Sequence, residues 1–519
     1  MNAKLSRRKF LKAAGAATAW IALTSTLGCA PPRRAGKTAP APTTSPVRGS
    51  GSSAVGSGYV RSFRSRPDLH PPTIDVLSPP HNNSSTAPGY IFVAPKNGPG
   101  EQSPSQDGPL ILDDRGEPVW FYPLQDEEKD TMDFKVQHYQ GEPVLTFWEG
   151  HHTGYGLGEY VILDTSYKEV KRLEAGNGYH GDHHEFLITD EDTALITIYS
   201  KVDKMDLRSV GGTREGRVLD GIAQEVDIES GEVLFEWHSL KHVGIDQSYV
   251  KPPKNPAFAF DYFHINSIDV DHDSNLLISS RRTSTVYKVD RHSGEVIWRL
   301  GGKNSDFELG PGTRTRYQHD ARRHPDGTIT IFDNGGVNKD KQSYGIVLEL
   351  DEDKMRATLL RKYPQPEGRL CGTQGNVQVL PGGNVFIGWG SNPHFSEFSR
   401  EGDLLFNARF PPEVESYRAF RFPWKGYPID DPTLLAVPGQ SPDDDLRLYV
   451  SWNGATEVAS WQVVGGPSPD RLEAVGPLVA KEGFETAIRV RAGEEYVGVE
   501  ARDGSGRVLG TSRAIRPSS

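Results

Sequence analysis

The sequence predicts an all-β protein, with a six-bladed β-propeller over residues 61–429 and a small β-sandwich over residues 430–519. Two observations predict the propeller. A hairpin pattern, in which an apolar strand leads through a polar turn into a strand rich in Val and Trp, recurs six times. A second hairpin pattern stands between successive copies, and two hairpins, or four strands, per repeat are typical of a propeller blade.

The composition agrees with many short strands joined by turns. The chain has 519 residues, of which 55 are Gly and 38 are Pro, while Met is rare. The net charge of −11 argues against a general nucleic-acid binder, which would show a basic surface. Only two cysteines are present, far apart in the chain, so we expect no disulfide framework.

The first pattern is spaced at roughly 50 to 60 residues, as expected for blades. Its six copies are "ILDDRGEPVWF" (111–121), "VILDTSYKEV" (161–170), "EVDIESGEVLFEW" (225–237), "KVDRHSGEVIWRL" (288–300), "LELDEDKMRATLL" (348–360) and "EFSREGDLLF" (397–406). Its intervening partners are "VQHYQGEPVLTFW" (136–148), "FLITDEDTALITIY" (186–199), "SIDVDHDSNLLISS" (267–280), "RRHPDGTITIF" (322–332) and "VQVLPGGNVFIGW" (377–389). A β-helix would need shorter repeats, and a sandwich would not repeat six times.

The C-terminal part, 430–519, has a different pattern. "LRLYVSWNGATEVASWQVVGG" (446–466) and "EEYVGVEARDGSGRVLGTS" (494–512) resemble the second strand region and the last hairpin of a fibronectin type III domain. The interpretation is a β-sandwich that serves packing or surface contacts. The alternative is that some of these strands close the propeller ring.

The N-terminal part predicts export. "SRRKFLK" (6–12), followed by the apolar run 13–27, is typical of a twin-arginine signal, assigned to residues 1–29. Residues 30–60, rich in Pro, Gly, Ser and Thr, predict a flexible linker. "TSTLGCA" resembles a lipoprotein cleavage site. Two outcomes stay open: a lipid anchor at Cys29 with a periplasmic or cell-surface location, or cleavage nearby and release as a secreted protein.

Three histidines occupy similar places in three repeats. His184, His264 and His319 each stand shortly before the turn of a second-pattern hairpin, and Gln374 stands at the matching place in the next repeat. The first strand of each propeller blade lines the central channel, so we expect the three imidazoles to face one funnel. A single histidine of this kind is more often a satisfied, half-buried residue. Recurrence in three repeats favours a site.

Arginine complements these histidines. Arg281 ends the strand that returns from the His264 hairpin, so it is expected near His264, where a guanidinium beside imidazoles suits a tetrahedral oxyanion. The alternative is a solvent-exposed Arg281 at a strand end. Other histidines are interpreted differently: His272, His292 and His324 as solvated turn residues, and His151 and His152 as members of a loop near the channel.

These segments resemble a known family. "DYFHINSIDVDHDSNLLISSRRTS" and "YQHDARRHPDG" are similar to the bacterial PAPS-independent arylsulfotransferases, especially to their arylsulfotransferase-like branch, over most of residues 60–465. The resemblance implies a six-bladed propeller. It also implies a transfer in which a histidine takes a sulfuryl group from a phenolic sulfate ester, becomes sulfohistidine, and passes the group to a phenol.

The resemblance assigns roles to residues. The Gln-His segment implies that His319 is the nucleophile, the His-x-Asn-Ser segment marks His264, the Ser-Ser-Arg segment marks Arg281, and the His-His-acid segment marks His184. Neutral imidazole is a suitable nucleophile, and an arginine and neighbouring imidazoles stabilise developing charge. The expected partners are a small aryl sulfate donor and a phenolic acceptor. No cofactor and no metal are expected, and the sequence has no Walker-type phosphate loop.

Two other functions compete with this interpretation. One is a non-catalytic propeller at the cell surface that binds an anionic or aromatic ligand or a partner protein, because propellers are common scaffolds. The other is a metal-dependent hydrolase with zinc on three histidines. The sequence shows no carboxylate recurring at the channel position, and a nearby arginine would repel a cation, which places the hydrolase last.

Overall fold

The chain is built almost entirely of β-strands. The computed structural model describes residues 59–80, 86–335, 341–438, 446–491 and 493–517. The predicted signal segment and nearly all of the predicted linker lie outside these residues. The described helical turns are an α-helical turn at Ser239–His242 and 3₁₀ turns at Arg208–Val210 and Ile245–Gln247. None of the described helices has the length and apolar character needed to cross a membrane.

The strands of residues 75–422 form the larger part of the fold. The first twelve are β1 (Asp75–Ser78), β2 (Tyr90–Asn97), β3 (Leu110–Leu112), β4 (Pro118–Phe121), β5 (Asp130–Tyr139), β6 (Glu142–His152), β7 (Gly156–Leu163), β8 (Glu169–Leu173), β9 (Asp182–Ile188), β10 (Thr193–Met205), β11 (Gly216–Asp227) and β12 (Val233–His238). The next fourteen are β13 (Ile265–Val270), β14 (Leu276–Ser280), β15 (Thr285–Val289), β16 (Val296–Gly301), β17 (Glu308–Leu309), β18 (His319–Arg323), β19 (Ile329–Asp333), β20 (Tyr344–Asp351), β21 (Arg356–Pro364), β22 (Asn376–Val379), β23 (Val385–Gly388), β24 (His394–Phe398), β25 (Leu404–Arg409) and β26 (Val414–Phe422).

These strands pair into six sheets, which are antiparallel apart from the short parallel pairing of β17 with β21. The strand orders are β26-β2-β3-β4, β5-β6-β7-β8, β9-β10-β11-β12, β13-β14-β15-β16, β18-β19-β20-β21-β17 and β22-β23-β24-β25-β1. Both hairpin patterns of the sequence therefore correspond to paired strands. The first strands of the six sheets, called the inner strands here, are β26, β5, β9, β13, β18 and β22. They pack against one another in cyclic order, with β22 returning to β26.

A polar turn explains the first hairpin of the recurrent pattern. The Asp113 carboxylate accepts hydrogen bonds from the backbone N–H groups of Arg115 and Glu117, both at 2.9 Å. Gly116 supplies the positive φ, 72°, that closes the turn between β3 and β4. A side chain at position 116 would also collide with Ile74. The Asp-x-x-Gly spacing thus sets the bend and the alternation of the two strands that follow it.

Large side chains between neighbouring sheets form the core of this part. Trp148 and Tyr160 of the second sheet pack with Phe186 of the third. Trp298 of the fourth sheet packs with Ile331 of the fifth. Each side chain is almost fully buried, and burying one contributes about 1.5–3 kcal/mol. The sheets are consequently held face to face, and their inner strands meet at the centre.

The C-terminal residues form two further sheets that share a core. Their strands are β27 (Thr433–Val437), β28 (Leu446–Ser451), β29 (Ser460–Ser468), β30 (Arg471–Ala474), β31 (Val479–Ala480), β32 (Glu485–Val490), β33 (Tyr496–Arg502) and β34 (Val508–Thr511). The orders are β27-β28-β32 and β30-β29-β33-β34, with β31 beside β29. Leu448, Trp461 and Val499 are buried between the sheets. The all-β prediction is confirmed.

Ion pairs fill the centre of the inner strands. Arg418 of β26 is fully buried and donates to Asp133 at 2.8 Å and to the two oxygens of Glu185 at 3.2 and 3.3 Å. Lys135 donates to Asp133 at 2.7 Å and to Glu185 at 3.0 Å. Burial opposes ionisation of Glu185, but the surrounding cations outweigh burial and hold its pKa well below the usual range.

The fifth sheet joins the same network. Arg322 of β18 pairs with Glu185 and donates through Nε to Asp320 at 2.8 Å. Asp320 in turn accepts from the backbone N–H of Val377 in the sixth sheet at 2.9 Å. We call these six residues the central ion network: Asp133, Lys135, Glu185, Asp320, Arg322 and Arg418. Its three acids and three bases balance, and it ties together four of the six sheets through side chains alone.

Removing the guanidinium at the centre of this network should destabilise the fold severely. Arg418→Met leaves Asp133 and Glu185 short of a buried partner, which is expected to lower the free energy of unfolding by about 3–5 kcal/mol. Arg409→Met is the matched control, since its pair with Asp75 is solvent-exposed and contributes only about 0–1 kcal/mol. Urea denaturation measures both variants. Equal losses in the two would contradict a dominant role for the network.

Candidate functional site

The four residues singled out in the sequence meet where three inner strands begin. His184 lies in β9, His264 directly precedes β13, His319 opens β18, and Arg281 directly follows β14. The ring centres of His184 and His264 are 4.9 Å apart, and the Arg281 N–H donates to the His264 carbonyl at 2.9 Å. Arg281, His264 and His184 each contribute to the lowered pKa of His319, so all three lie within electrostatic range of its ring.

Their convergence depends on bulges rather than on one shared strand position. His184 and His319 each lie five residues before the hydrogen-bonded turn residue, Thr189 and His324 respectively, whereas His264 lies seven before Asp271. The expectation of a shared position therefore holds for two of the three histidines. Strand pairing shifts beside each of them. Bulges re-aim side chains, and here they compensate for the different offsets.

His319 has a defined tautomer. Its Nδ1 lies 2.6 Å from Oδ1 of Asn334. The Asn334 amide nitrogen donates to the carbonyls of Cys371 and Gln374, both at 2.9 Å, so Oδ1 is the acceptor that faces the ring. Nδ1 therefore carries the proton. The lone pair stays on Nε2, which accepts a hydrogen bond from the Gln374 N–H at 3.3 Å.

The electrostatic surroundings keep His319 neutral. Burial is the main cause that lowers its pKa well below 6.5, and the positive charge of Arg281 adds to it. The side chain is 1 % exposed. A neutral imidazole with its lone pair on Nε2 is the form that acts as a nucleophile.

His184 is held by a carboxylate. Its Nδ1 lies 2.5 Å from Oδ1 of Asp182, which also accepts from Thr197 at 3.1 Å. The other carboxylate oxygen accepts from the Gly156 N–H at 2.5 Å. Burial raises the pKa of Asp182, but its contacts with His184 prevail and leave it lowered. The ionised carboxylate fixes the Nδ1–H tautomer and leaves Nε2 as the proton-accepting atom.

His264 has the same arrangement with a different carboxylate. Its Nδ1 lies 2.5 Å from Oδ2 of Asp261, and Arg282 lies 3.6 Å from the same oxygen. Burial lowers the pKa of His264 to about 4 against the opposing effect of Asp261. Burial raises the pKa of Asp261, but the charges of His264 and Arg282 outweigh burial and lower this pKa to about 2. At neutral pH the pair is a neutral imidazole on an ionised carboxylate.

Arg281 is a buried cation with free donor capacity. It is 8 % exposed, its Nη2 donates to the Gly372 carbonyl at 2.8 Å, and its guanidinium lies over the Tyr317 ring at 5.2 Å. Its Nε has no hydrogen-bond partner among the described residues. Burial and Arg282 lower its pKa to about 10, so it is still charged at neutral pH. Such a group suits an anionic oxygen.

The family model for arylsulfotransferase (ASST) matches residues 135–411, which is more than half of the chain and includes all four of these residues. The chain belongs to the arylsulfotransferase family. The resemblance drawn from the sequence is thereby confirmed at the level of the family.

Other comparisons are distant. A protein of unknown function from Bacteroides caccae has 13% identity and a TM-score of 0.40, covering 65% of this arylsulfotransferase-family chain and all of its own. Virginiamycin B lyase from Staphylococcus aureus has 7% identity and a TM-score of 0.34, covering 72% and 95% of the two chains. Among curated proteins no relative matches.

Sequence reasoning missed several residues of this arylsulfotransferase-family site. Asp182, Asp261 and Asn334 orient the three imidazoles, and Tyr199 lies 5.5 and 5.7 Å from the rings of His184 and His264. Asp182 lies two residues before His184 and Asp261 three residues before His264, and this spacing could have predicted the two carboxylate–histidine pairs from the sequence. Their presence removes the argument that carboxylates are absent near the channel histidines.

The five other histidines that the sequence analysis interpreted fall into three groups. His272 and His292 are exposed, as expected for turn residues. His324 is only half-buried rather than solvated, and its Nε2 lies 2.8 Å from the Thr330 hydroxyl. His151 and His152 are exposed at the end of β6, and the His152 ring lies edge-on to His183 at 4.7 Å. His152 thus lies between solvent and the buried His183 next to the site.

Acidification should destabilise the fold through His264. The folded pKa of about 4 lies below the ordinary value of about 6.5, so stability present above pH 6.5 is lost as the pH falls towards 4. His264→Asn removes the titrating ring and tolerates the left-handed backbone at φ 57°. Between pH 7 and 4.5, urea denaturation should show a loss smaller by on the order of 1–3 kcal/mol in the variant. His272→Asn, at an exposed ring, should follow the wild type. Parallel pH curves for wild type and His264→Asn would refute the assignment.

Proposed function

We propose that this protein is an exported aryl sulfotransferase that moves a sulfuryl group from a phenolic sulfate ester to a phenol through a sulfohistidine at His319. The observation that carries the proposal is the pairing of a neutral, oriented His319 with the buried cation Arg281. The first supplies a nucleophile and the second a partner for sulfonyl oxygens. The Arg281 Nε is buried and lacks a partner among the described residues, so a bound sulfuryl oxygen would satisfy it.

In the first half-reaction, Nε2 of His319 attacks sulfur, and an N–S bond forms as the S–O bond to the aryl group breaks. The phenolate leaves with the electron pair of that bond. Negative charge on the sulfonyl oxygens is stabilised by Arg281. The Nδ1–H of His319 stays on the ring and donates to Asn334, so the positive charge of sulfohistidine rests against an amide oxygen.

In the second half-reaction, a phenol attacks the sulfur of sulfohistidine, and the N–S bond breaks to regenerate His319. A carboxylate-paired imidazole, His184 or His264, accepts the phenol proton at Nε2. The same proton is then available to the phenolate that leaves in the next cycle. Donor and acceptor thus react in turn, which gives ping-pong kinetics, and no nucleotide cofactor takes part.

The finer architecture belongs to the proposal as well. We interpret the six sheets within residues 61–429 as blades of a propeller. The cyclic contacts of the inner strands support this interpretation, as does the first sheet, which joins β26 to β2 and so links the two ends of the ring. Residues 430–519 are interpreted as a fibronectin type III-like sandwich. Export by the twin-arginine route, with or without a lipid anchor at Cys29, completes the proposal.

The transfer is tested directly with p-nitrophenyl sulfate as donor and phenol as acceptor. The wild type should release nitrophenol and form phenyl sulfate, and the peptide with His319 should gain the mass of SO₃ in a quenched reaction. His319→Asn should reduce the rate about a thousandfold or more, because the nucleophile is lost. His324→Asn, in the same hairpin but outside the site, is the control and should keep full activity.

Two results would reject this function. If the wild type releases no nitrophenol and His319→Asn changes only ligand binding, the protein is a binding module. If chelation abolishes the activity and added metal restores it, a metal-dependent reaction replaces the transferase.

The charge and shape of Arg281 should both matter. Arg281→Lys keeps the charge but loses the planar donor fork, so kcat/KM for p-nitrophenyl sulfate should fall about 100- to 1000-fold. Arg299→Lys, in the same sheet on a partly exposed pair with Asp306, should leave kcat/KM unchanged. A loss below threefold in Arg281→Lys would show that the guanidinium does not contact the sulfuryl group.

A further inference from the structure

The side-chain amide of Asn334 is held in one orientation beside His319. Its Oδ1 lies 2.6 Å from Nδ1 of the ring, and its nitrogen donates to the carbonyls of Cys371 and Gln374, both at 2.9 Å. The backbone carbonyl of Asn334 accepts from the Ser343 hydroxyl, which itself accepts from the Cys371 N–H, both at 2.7 Å. A reversed amide would turn its oxygen towards two carbonyls. These fully buried contacts therefore fix which amide atom faces the ring.

The acceptor at His319 differs from the acceptors at the other two rings in its affinity for a proton. Asp182 and Asp261 each lie 2.5 Å from Nδ1 of His184 and His264, and a carboxylate is able to take up the proton whose hydrogen bond it accepts. An amide oxygen accepts the hydrogen bond but is not protonated at neutral pH. The Nδ1 proton of His319 consequently has no group to which it can move across this bond.

The fixed proton has its largest effect on the sulfohistidine of the proposed transfer. With a sulfuryl group on Nε2 and a proton on Nδ1, the ring is a cation. When the N–S bond breaks, the ring takes back the electron pair and leaves as neutral imidazole. If Nδ1 had lost its proton, the ring would have to leave as an imidazolate anion, which is a much stronger base and a poorer leaving group. A carboxylate opposite the cationic ring would also stabilise sulfohistidine more than the transition state in which that charge disappears.

We propose that Asn334 is a positioning residue that keeps the Nδ1 proton on His319 through both half-reactions, and thereby keeps sulfohistidine reactive towards phenol. The inference rests on the proposed function, because it concerns the intermediate of that transfer. The bonds at sulfur are those already given, and no further reactant is needed. Asn334 acts through the ring and does not contact the sulfuryl group. The Gln374 N–H, which donates to Nε2 at 3.3 Å, gives up this hydrogen bond when the N–S bond forms.

Asn334→Asp tests the role of the proton, because a protonated carboxyl group reproduces the amide and an ionised one does not. When protonated, its hydroxyl donates to the Cys371 or Gln374 carbonyl, and its other oxygen accepts from Nδ1. Burial against two carbonyls should raise the pKa of the new carboxyl group above the ordinary value of about 3.9. As the pH rises through that pKa, the decay of sulfohistidine in the presence of phenol should become about tenfold or more slower than in the wild type.

The two half-reactions are measured separately in the full chain. The burst of nitrophenol from p-nitrophenyl sulfate reports the formation of sulfohistidine, and in Asn334→Asp it should change by less than about fivefold. Mass spectrometry of samples quenched after the addition of phenol reports the decay. Asn275→Asp, in the turn between β13 and β14, is the matched control. Its carboxylate keeps the acceptor for the Arg291 N–H, and its decay should follow the wild type at every pH.

Two results would overturn the proposal: decay in Asn334→Asp as fast as in the wild type at every pH, or formation and decay slowed by the same factor, which indicates a structural role alone. If this variant fails to fold, NMR of the wild type with ¹⁵N-labelled histidine replaces it. Nδ1 of His319 should carry a proton before and after sulfation, and loss of that proton on sulfation would contradict the proposal. A wild type without a nitrophenol burst rejects the proposed function itself, which separates the two failures.

Discussion

The contact of Arg418 with Glu185 and Asp133 is the interaction on which the site depends. Glu185 directly follows His184 in the chain, and Asp320 directly follows His319. Both acids are fixed by the same buried arginines, so the backbone that carries the two imidazoles is fixed with them. A ring of strands without this network would have an apolar or hydrated centre. Here the centre is a set of charges that pair only when the four sheets that carry them are in place.

The partners of the three imidazoles differ in charge, and the difference divides their chemistry. His184 and His264 face ionised carboxylates, which orient their rings. His319 faces the amide oxygen of Asn334, which orients the ring without adding negative charge. Beside Arg281, His319 therefore remains neutral, as the proposed nucleophile has to be, while the proposed transfer gives the acid–base role to the carboxylate-paired rings. The three imidazoles therefore divide into one ring paired with an amide and two rings paired with carboxylates.

The sequence was sufficient for the hairpins and for the approach of the histidines, but not for their partners. Turn residues and alternating strands are local signals, and both correspond to paired strands here. The two-residue offset of His264 could not be predicted, because a bulge depends on contacts between sheets. In the sequence, Arg418 looks like any polar residue of a strand, and Asn334 looks like any residue of a turn. Arg418 is important because its partner Glu185 lies more than 200 residues away in the chain. Asn334 is important because it bonds to the loop that carries Gln374.

Arg281 has the charge and the unpaired donor group that an anion-binding site requires. The described structure gives this buried guanidinium one carbonyl and one aromatic ring, with no carboxylate bonded to it, and its lowered pKa records the cost of that position. A protonated imidazole beside it would add repulsion, so His319 and His264 stay neutral until charge arrives. In the proposed transfer, a sulfonate bound against Arg281 would supply the negative charge that this guanidinium lacks. It would thereby make protonation of a neighbouring imidazole easier at the proposed step in which the acceptor phenol loses its proton.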